Sequence, residues 1–266
     1  MYLGLYAALL LLVRGALGLF YFPPLWMTLL ALVPGIAHYL AAILYTKAMM
    51  TADASTVLGV TQINPVFALG WGFLIFSDFF LPLNYAGVFL IVVCALGLAL
   101  ERSSRLAKGF QLNQAFGLIL LATFFRSISD LTLKMTLNEL DYWNTFGLSR
   151  LALLVPAVIV FSFRGPRQII VEPIRRKGYG LLLVIGFIEL GAMANLLVLT
   201  KAYSLGPLAL VSATQSTAPM FVLGLTVGLN YLKPGLIPAR DTGSRNWLKL
   251  LLCLGIVTGV YLLHFE

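Results

Sequence analysis

The chain has 266 residues, of which 60% are hydrophobic and only 11% are charged, and its mean hydropathy is +0.95. This composition is too apolar for one water-soluble core, so a soluble globular protein is excluded. The net charge of +8 is compatible with nucleic-acid binding, but the basic residues lie in alternate loops between apolar segments. That distribution is the positive-inside pattern of a membrane protein, and it excludes a nucleic-acid partner.

Nine segments are long and apolar enough to cross a bilayer as helices, for which about 20 residues are needed. In chain order they are residues 1–22, 25–47, 54–77, 82–101, 115–137, 143–163, 178–203, 207–230 and 245–265. Continuous apolar runs favour helices over the alternating pattern of a barrel. The sequence therefore predicts an all-α polytopic membrane protein with its basic loops and its N-terminus in the cytoplasm.

Residues 46–70 and 200–224 are two copies of one segment. Aligned without a gap at a spacing of 154 residues, they share eight of 25 positions, including Pro65 with Pro219. Duplication at a fixed spacing in an apolar chain points to the paired halves of a transporter. The second predicted span matches the seventh, five helices later, so we predict two repeats that cross the membrane in opposite directions.

The second and seventh spans each carry one ionisable residue away from their ends. Glu189 lies near the middle of the seventh span, and its repeat mate, Gly35, lies one turn from His38 in the second span. We predict that both side chains face the protein interior, where a carboxylate and an imidazole could bind a cationic or zwitterionic solute or relay protons. The alternative is that both are structural groups bonded to neighbouring helices.

Polar residues precede the shared proline in the third and eighth spans. They include Gln62 and Asn64 in the third span and Thr214 and Gln215 in the eighth. Because proline lacks an N–H, it frees a backbone carbonyl one turn back, and nearby amides can bind a solute. We predict that these residues contribute to a binding site; for the threonine, the alternative is that its hydroxyl only satisfies a backbone carbonyl.

Three charged residues, Arg126, Asp130 and Lys134, recur every four residues in the fifth span and so lie on one helix face. Arg126 is the deepest and suits a carboxylate or phosphate group, or Glu189 itself. We predict that Arg126 and Asp130 take part in substrate binding or coupling; the alternative is a structural ladder. Lys134 lies near the outer end and could simply extend to the interface.

Together these patterns resemble the drug/metabolite transporter superfamily with EamA-type repeats. The resemblance rests on the small-residue turn after Thr-Lys-Ala, the mid-helix Pro followed by Phe, Leu and Gly in each copy, and the Gly-rich closing helices. It implies ten helices in two inverted sets of five. On that basis residues 1–101 are the first repeat, 102–114 a cytoplasmic linker and 115–266 the second repeat. Arg14 and Arg150 resemble the arginine early in the second helix of each half.

The chain departs from that family pattern at its start. A whole predicted span precedes Arg150 within its repeat, whereas only thirteen residues precede Arg14. The first helix of the first repeat is therefore expected to be missing. Either the start has been clipped by roughly one helix and its loop, about 30 residues, or this is a natural nine-helix variant.

The sequence carries no motif of an enzyme, such as a P-loop, HExxH or GxSxG, and no metal-binding or cofactor-binding motif. We therefore predict no catalytic residue, metal or cofactor. The predicted function is secondary transport, with export expected, of a small organic metabolite or drug-like solute by alternating access in a bacterial inner membrane. The expected partners are the solute, the bilayer and a homodimer or partner subunit. The alternative is an accessory or lipid-flipping subunit that works with a partner chain.

Overall fold

A computed structural model of the chain describes residues 2–21, 23–51, 57, 60–101, 109–164, 172, 178–218, 220–221, 224–225, 228, 231 and 246–262. Within these ranges the backbone is helical apart from short turns and connections, and it contains no strand. The prediction of an all-α fold is confirmed for this part of the chain.

The helices are named in chain order by their bounds. They are α1 Tyr2–Ala16, α2 Leu25–Thr51, α3 Asn64–Trp71, α4 Pro82–Glu101, α5 Gly109–Glu139, α6 Tyr142–Leu151, α7 Leu154–Ser162, α8 Tyr179–Leu205, α9 Leu208–Gln215 and α10 Asn246–Leu262. A π-helical turn, Gly72–Phe76, continues α3 and ends at Ser77, whose φ of 54° is left-handed.

Three helices in the described ranges are long and apolar enough to cross a membrane, namely Leu25–Met50, Phe116–Glu139 and Leu182–Leu205. Shorter apolar helices lie at Gly4–Ala16, Asn64–Phe76, Pro82–Gly97 and Leu251–Leu262. These features are compatible with an integral membrane protein. That all nine predicted segments cross the bilayer stays a prediction, and basic loop residues behind the predicted orientation, among them Arg102, Arg105 and Lys233, lie outside the described ranges.

Four predicted spans contain breaks or different ends. In the segment 54–77 a turn at Gln62 and Ile63 separates α3 from the helical residues before it, close to the disturbance that Pro65 predicts. The segment 143–163 is likewise divided into α6 and α7, and a turn follows α9 inside the segment 207–230. Helix α5 begins at Gly109, within the predicted linker 102–114, so the fifth helix starts earlier than its apolar pattern indicates.

The chain forms two compact units. Unit 1 comprises Met1–Leu40 and Ile128–Gly206, and unit 2 comprises Ala41–Ser127 and Pro207–Glu266. Two of the three boundaries between the units fall inside α2 and α5, and the third lies between α8 and α9. Each unit takes residues from both predicted repeats, so packing unit and sequence repeat are different divisions of the chain, and the repeat boundaries stay a prediction.

Helix α6 is the most deeply buried element of unit 1. All of its residues from Asn144 to Arg150 are buried. Asp141 caps its N-terminus by accepting hydrogen bonds from the backbone N–H groups of Trp143 and Asn144 at 3.1 and 3.3 Å, which satisfies donors that a helix leaves unpaired. Glycine lets α2 pack closely on this helix, since a Cβ at Gly35 would overlap the carbonyl oxygen of Ser149.

Unit 2 is built around the pair α4 and α10. Two glycines of α10 allow close approach: a Cβ at Gly255 would overlap the Cys94 sulfur, and one at Gly259 would lie 2.9 Å from the carbonyl oxygen of Gly87. The four-residue spacing of these glycines predicts close helix packing, and here it occurs within the unit. Helix α9 joins this core through Ala213, which is fully buried beside residues of α4.

Candidate functional site

The local structure repeats at the same spacing as the sequence. Helix α2 begins at Leu25 and helix α8 begins at Tyr179, 154 residues later. Helix α2 is described through Thr51, whose repeat mate Leu205 is the last residue of α8. The two copies therefore form matching helices, whereas their opposite crossing of a membrane stays a prediction.

The breaks in the two proline-containing segments also coincide in the repeat. A turn at Gln62 and Ile63 precedes α3, and a turn at Ser216 and Thr217 follows α9. The turns are closed by equivalent hydrogen bonds. They are Ile63 N–H to Val60 C=O at 3.1 Å, Val66 N–H to Ile63 C=O at 2.9 Å, Thr217 N–H to Thr214 C=O at 3.1 Å and Met220 N–H to Thr217 C=O at 3.0 Å.

Proline explains why the break falls where it does. Pro65 lies in the first turn of α3, where its missing N–H costs least. In an uninterrupted helix that N–H would bond the carbonyl of Thr61, so the segment turns before the proline and starts a new helix. Pro219, the equivalent proline, lies outside the described residues.

The two broken segments contact each other through polar side chains. Asn64 is the first residue of α3, and its Nδ2 donates to the Ser212 hydroxyl oxygen at 2.9 Å. Ser212 lies on α9, one turn before Gln215, and is only 1% exposed. This contact joins helices that are 148 residues apart in the chain, directly beside both turns.

Helix α5 brings a permanent charge to the same pair of helices. The guanidinium of Arg126 donates from NH2 to the Gln215 amide oxygen at 3.2 Å, and both residues are half-buried. Arginine keeps its charge at any physiological pH and presents five N–H donors in a plane. The Arg126–Gln215 bond therefore places a fixed positive group beside α9.

An aromatic cluster lies against the same turn of α5. Phe124 packs on Phe67 at a ring distance of 5.7 Å and on Trp71 at 6.1 Å, both from α3. The Trp71 indole N–H donates to the Ser127 hydroxyl at 3.1 Å, and that hydroxyl donates to the Phe124 carbonyl at 2.7 Å. Residues 124–127 of α5 thus contact both α3 and α9. We call these contacts, together with Asn64–Ser212, the α3–α5–α9 site.

Two further predicted residues lie next to this site. Gln62 is 8% exposed, and its repeat mate Ser216 is 3% exposed, so both turns place a polar side chain in a buried position. The hydroxyl of Thr214 donates to the Leu210 carbonyl at 2.9 Å within its own helix. That bond favours the structural alternative for Thr214, and the role of Gln62 stays a prediction.

The remaining predicted site residues belong to unit 1. Glu189 is half-buried, and its Oε2 atom is buried without a hydrogen-bond partner among the described residues. His38 is half-buried on α2, and Asp130 is buried on α5. Their parts in substrate binding or coupling stay predictions.

Lys134 has a structural role. Its Nζ donates to the carbonyl oxygens of Tyr203 and Gly206 at 2.7 and 3.0 Å. It therefore binds the end of α8, where a cation complements the unpaired carbonyls and the helix dipole. The position of Lys134 in the sequence suggested that its side chain extends to the membrane interface, and in the structure its ammonium group bonds the end of α8.

The two arginines singled out by the family resemblance are also bonded within unit 1. Arg14 donates to the Leu19 carbonyl at 2.8 Å and forms an ion pair with Asp141 at 3.2 Å. Arg150 is 2% exposed, and its guanidinium lies 5.9 Å from the centre of the Phe146 ring. Arg14 thus joins the end of α1 to the start of α6, whereas the contact of Arg150 with Phe146 lies within α6.

Sequence reasoning missed several contributors to the α3–α5–α9 site. They are Ser212, Phe124, Ser127 and Phe67. Ser212 had a detectable signal, because it lies three residues before Gln215 and so shares a helix face with it. The aromatic residues had none, since aromatic side chains also occupy membrane interfaces and lipid-facing surfaces. Within the described ranges, no cluster of His, Cys, Asp and Glu could hold a metal ion.

No family model and no curated protein matches this chain. The crystal structure of another protein matches it with a TM-score of 0.69 at 14% sequence identity, over 99% of this chain and 85% of that chain. At this identity the likeness shows a shared fold and carries no information about function.

Proposed function

We propose that this protein is a secondary transporter that exports a small organic metabolite or drug-like solute, and that the solute binds at the α3–α5–α9 site. The observation that carries the proposal is the coincidence of the two helix breaks with the sequence repeat. Each break places a buried polar residue, Gln62 or Ser216, beside polar contacts that join the two broken segments.

Broken helices suit the binding of a solute inside a membrane. Irregular backbone at membrane depth is tolerated where it is buried in protein or lines a water-filled cavity, and discontinuous helices form the substrate sites of several transporter folds. The Asn64–Ser212 hydrogen bond, at 2.9 Å, joins two neutral side chains. The Arg126–Gln215 hydrogen bond, at 3.2 Å, joins a charged side chain to a neutral one. A solute can replace such bonds at modest cost, because the groups it separates then bond to the solute.

The transport cycle we propose is alternating access by two inverted repeats. The duplicated segments form equivalent helices, α2 and α8, and equivalent turns, which supports a common ancestry of the two halves. The EamA-type resemblance and location in a bacterial inner membrane belong to the same proposal. The chain has no nucleotide-binding motif, so the energy is expected to come from an ion or solute gradient.

The proposal is tested with purified protein in liposomes, by counterflow of radiolabelled solutes drawn from a panel of organic acids, amines and neutral compounds. Asn64→Leu and Gln215→Leu keep the approximate side-chain size but remove the polar contacts. Each is expected to reduce counterflow at least tenfold, since a charge-assisted or buried hydrogen bond to a solute contributes about 1.5–3 kcal/mol.

Ser162→Ala is the matched control. Its hydroxyl donates to the Val158 carbonyl at 2.8 Å on the exposed side of α7, so the variant loses a polar contact of unit 1 outside the proposed site. Counterflow by this variant should equal that of the wild type. If no solute in the panel is exchanged by folded wild-type protein, the transporter proposal is wrong, and an accessory subunit that needs a partner chain becomes the better description.

A further inference from the structure

We infer that one exposed face of α8 is the docking surface for a second copy of this chain. The face, which we call the α8 face, consists of exposed residues that recur at helical spacing and so share one side of the helix. They are Phe187, Ile188, Gly191, Ala194, Asn195 and Val198. The inference stands apart from the proposed function, because a dimer can form whether or not the protein transports a solute.

The α8 face is open surface. Phe187, Ile188 and Val198 are 79%, 63% and 71% exposed. A Cβ added at Gly191 would meet no atom within 4 Å, so nothing packs against the backbone there. Helix α8 contains a segment, Leu182–Leu205, that is long and apolar enough to cross a membrane. In a bilayer, such a face is covered either by lipid or by another helix.

Asn195 decides between lipid and a helix. It lies ten residues from the nearer end of the apolar segment Leu182–Leu205, which is about 15 Å at the rise of an α-helix. The Asn195 amide forms no hydrogen bond in the described part of the chain. Lipid at that depth offers an amide no hydrogen-bond partner, which makes lipid a costly cover. A neighbouring helix that carries a polar group removes this cost.

The sequence repeat shows that the same face of the matched helix is used for packing. The residues of α2 that pair with Gly191 and Asn195 are Ala37 and Ala41, which are only 5% and 7% exposed. Helix α5 packs on this side of α2, since its Ser129 hydroxyl donates at 2.8 Å to a backbone carbonyl one turn before Ala37. The face is therefore covered in α2 and open in α8, where an amide replaces one of the alanines.

The chemistry of the α8 face favours a second copy as its cover. An amide carries a carbonyl acceptor and N–H donors, so Asn195 is complementary to the same residue of another copy. A two-fold axis along the membrane normal keeps both copies in one orientation, which sets α8 parallel to its copy and each residue opposite itself. Gly191 and Ala194 let the two helix axes approach closely. A single buried asparagine fixes the pairing of parallel coiled-coil helices in the same way.

Disulfide cross-linking in native membranes tests the contact, with the full chain in a background without Cys94 and Cys253. Phe187→Cys and Val198→Cys each place one thiol on the α8 face and keep its glycine and its amide. Leu254→Cys is the matched control, because it places a thiol at a similarly exposed position of α10. Oxidation with copper phenanthroline should convert most of the two α8 variants to covalent dimers and leave the α10 variant monomeric.

Sedimentation equilibrium in density-matched detergent measures the dissociation constant of the dimer. Asn195→Leu should raise it about threefold to tenfold, since hydrogen bonds between membrane helices are of modest strength. Gly191→Leu should raise it by at least about tenfold, because the longer side chain keeps the helix axes apart. Thr258→Val is the control and should leave it unchanged, since it removes an exposed hydroxyl of α10 that donates to the Leu254 carbonyl at 2.9 Å.

The outcomes distinguish a second copy from the other covers of the α8 face. Absence of cross-linking at both α8 positions would overturn the inference, and lipid or a different helix would then cover the face. Covalent dimers of Leu254→Cys alone would place the interface on α10 and would also overturn it. Labelling of Asn195→Cys by a membrane-impermeant maleimide would contradict it as well, because the face would then line water. If Gly191→Leu or Asn195→Leu does not fold, cross-linking at position 198 still decides.

Discussion

Gln62 and Ser216 occupy equivalent positions of the repeat, and each is the buried first residue of a turn that interrupts a helix. Both turns are closed by backbone hydrogen bonds three residues apart, at the same spacing of 154 residues. The duplication therefore preserves the place of the break, although the polar residue at that place differs. A break kept in both copies, with a polar side chain buried in each, supports a functional role for the turns.

Removing the proline that follows the first turn should lengthen the helix and impair transport. In Pro65→Ala the new N–H can bond the Thr61 carbonyl, so the thermal midpoint is expected to stay the same or rise, since alanine favours a helix interior by up to about 3 kcal/mol over proline. Counterflow is expected to fall at least tenfold. Pro156→Ala, in α7 of unit 1, is the control and should transport normally. Wild-type counterflow by Pro65→Ala would show that the break is dispensable.

Glu189→Gln should abolish transport without affecting folding. The Oε2 atom of Glu189 is buried without a hydrogen-bond partner in the described part of the chain, so neutralising the carboxylate breaks no bond to that atom. The control is Glu139→Gln, which changes an exposed carboxylate at the end of α5. Size-exclusion chromatography and counterflow from about pH 5 to about pH 8 check both variants. Transport by Glu189→Gln at the wild-type rate over this range would refute a role in coupling.

Gly259→Ala should destabilise unit 2. A Cβ at this position would lie 2.9 Å from the Gly87 carbonyl oxygen and would also overlap the Ile91 side chain, so α4 and α10 would have to separate. Overpacking of this kind costs about 1–3 kcal/mol. Gly186→Ala is the matched control, because a Cβ there meets no atom within 4 Å and alanine is the better helix former. The free energy of unfolding, measured in denaturant, should be lower for Gly259→Ala than for the wild type. For Gly186→Ala it should equal or exceed the wild-type value.

Lys134→Met should destabilise unit 1 more than Lys201→Met does. The first variant removes charge-assisted bonds to the carbonyls of Tyr203 and Gly206, which contribute about 1.5–3 kcal/mol when the donor is charged. The second removes only a contact with the Tyr142 ring at 5.7 Å, for which less than about 1 kcal/mol is expected at an exposed site. Equal unfolding free energies for the two variants would contradict the capping role of Lys134.

The predicted orientation is checked by labelling single cysteines from outside the cell in a background without Cys94 and Cys253. Nine spans with a cytoplasmic N-terminus predict labelling at Asn138, which is exposed at the end of α5, and at position 265. Position 106, in the basic loop, should be protected. Protection of position 265 from the label would mean an even number of spans, and the predicted helix boundaries of the second repeat would then have to be changed.

The sequence by itself determined the helical class and the duplication, and it predicted a membrane environment. Composition carries that prediction, because 60% hydrophobic residues are too many for one soluble core of this size. Long apolar runs predicted the helical class, since a segment that crosses lipid must pair its backbone groups within itself. The spacing of 154 residues predicted that the second and seventh helices are equivalent, and Pro65 predicted a disturbance of the third.

Only the tertiary structure decided which polar residues meet. The sequence suggested an anionic solute, Glu189 or Asp130 as the partner of Arg126, and the packing of α5 on α9 adds Gln215, which the sequence did not suggest. Lys134 was expected to extend toward an interface, but the end of α8 lies within its reach. The aromatic cluster at Phe124 could not be predicted from the sequence for the same reason. Helical periodicity gives the face of the helix on which a side chain lies, but the residues that this side chain contacts depend on how helices far apart in the chain pack together.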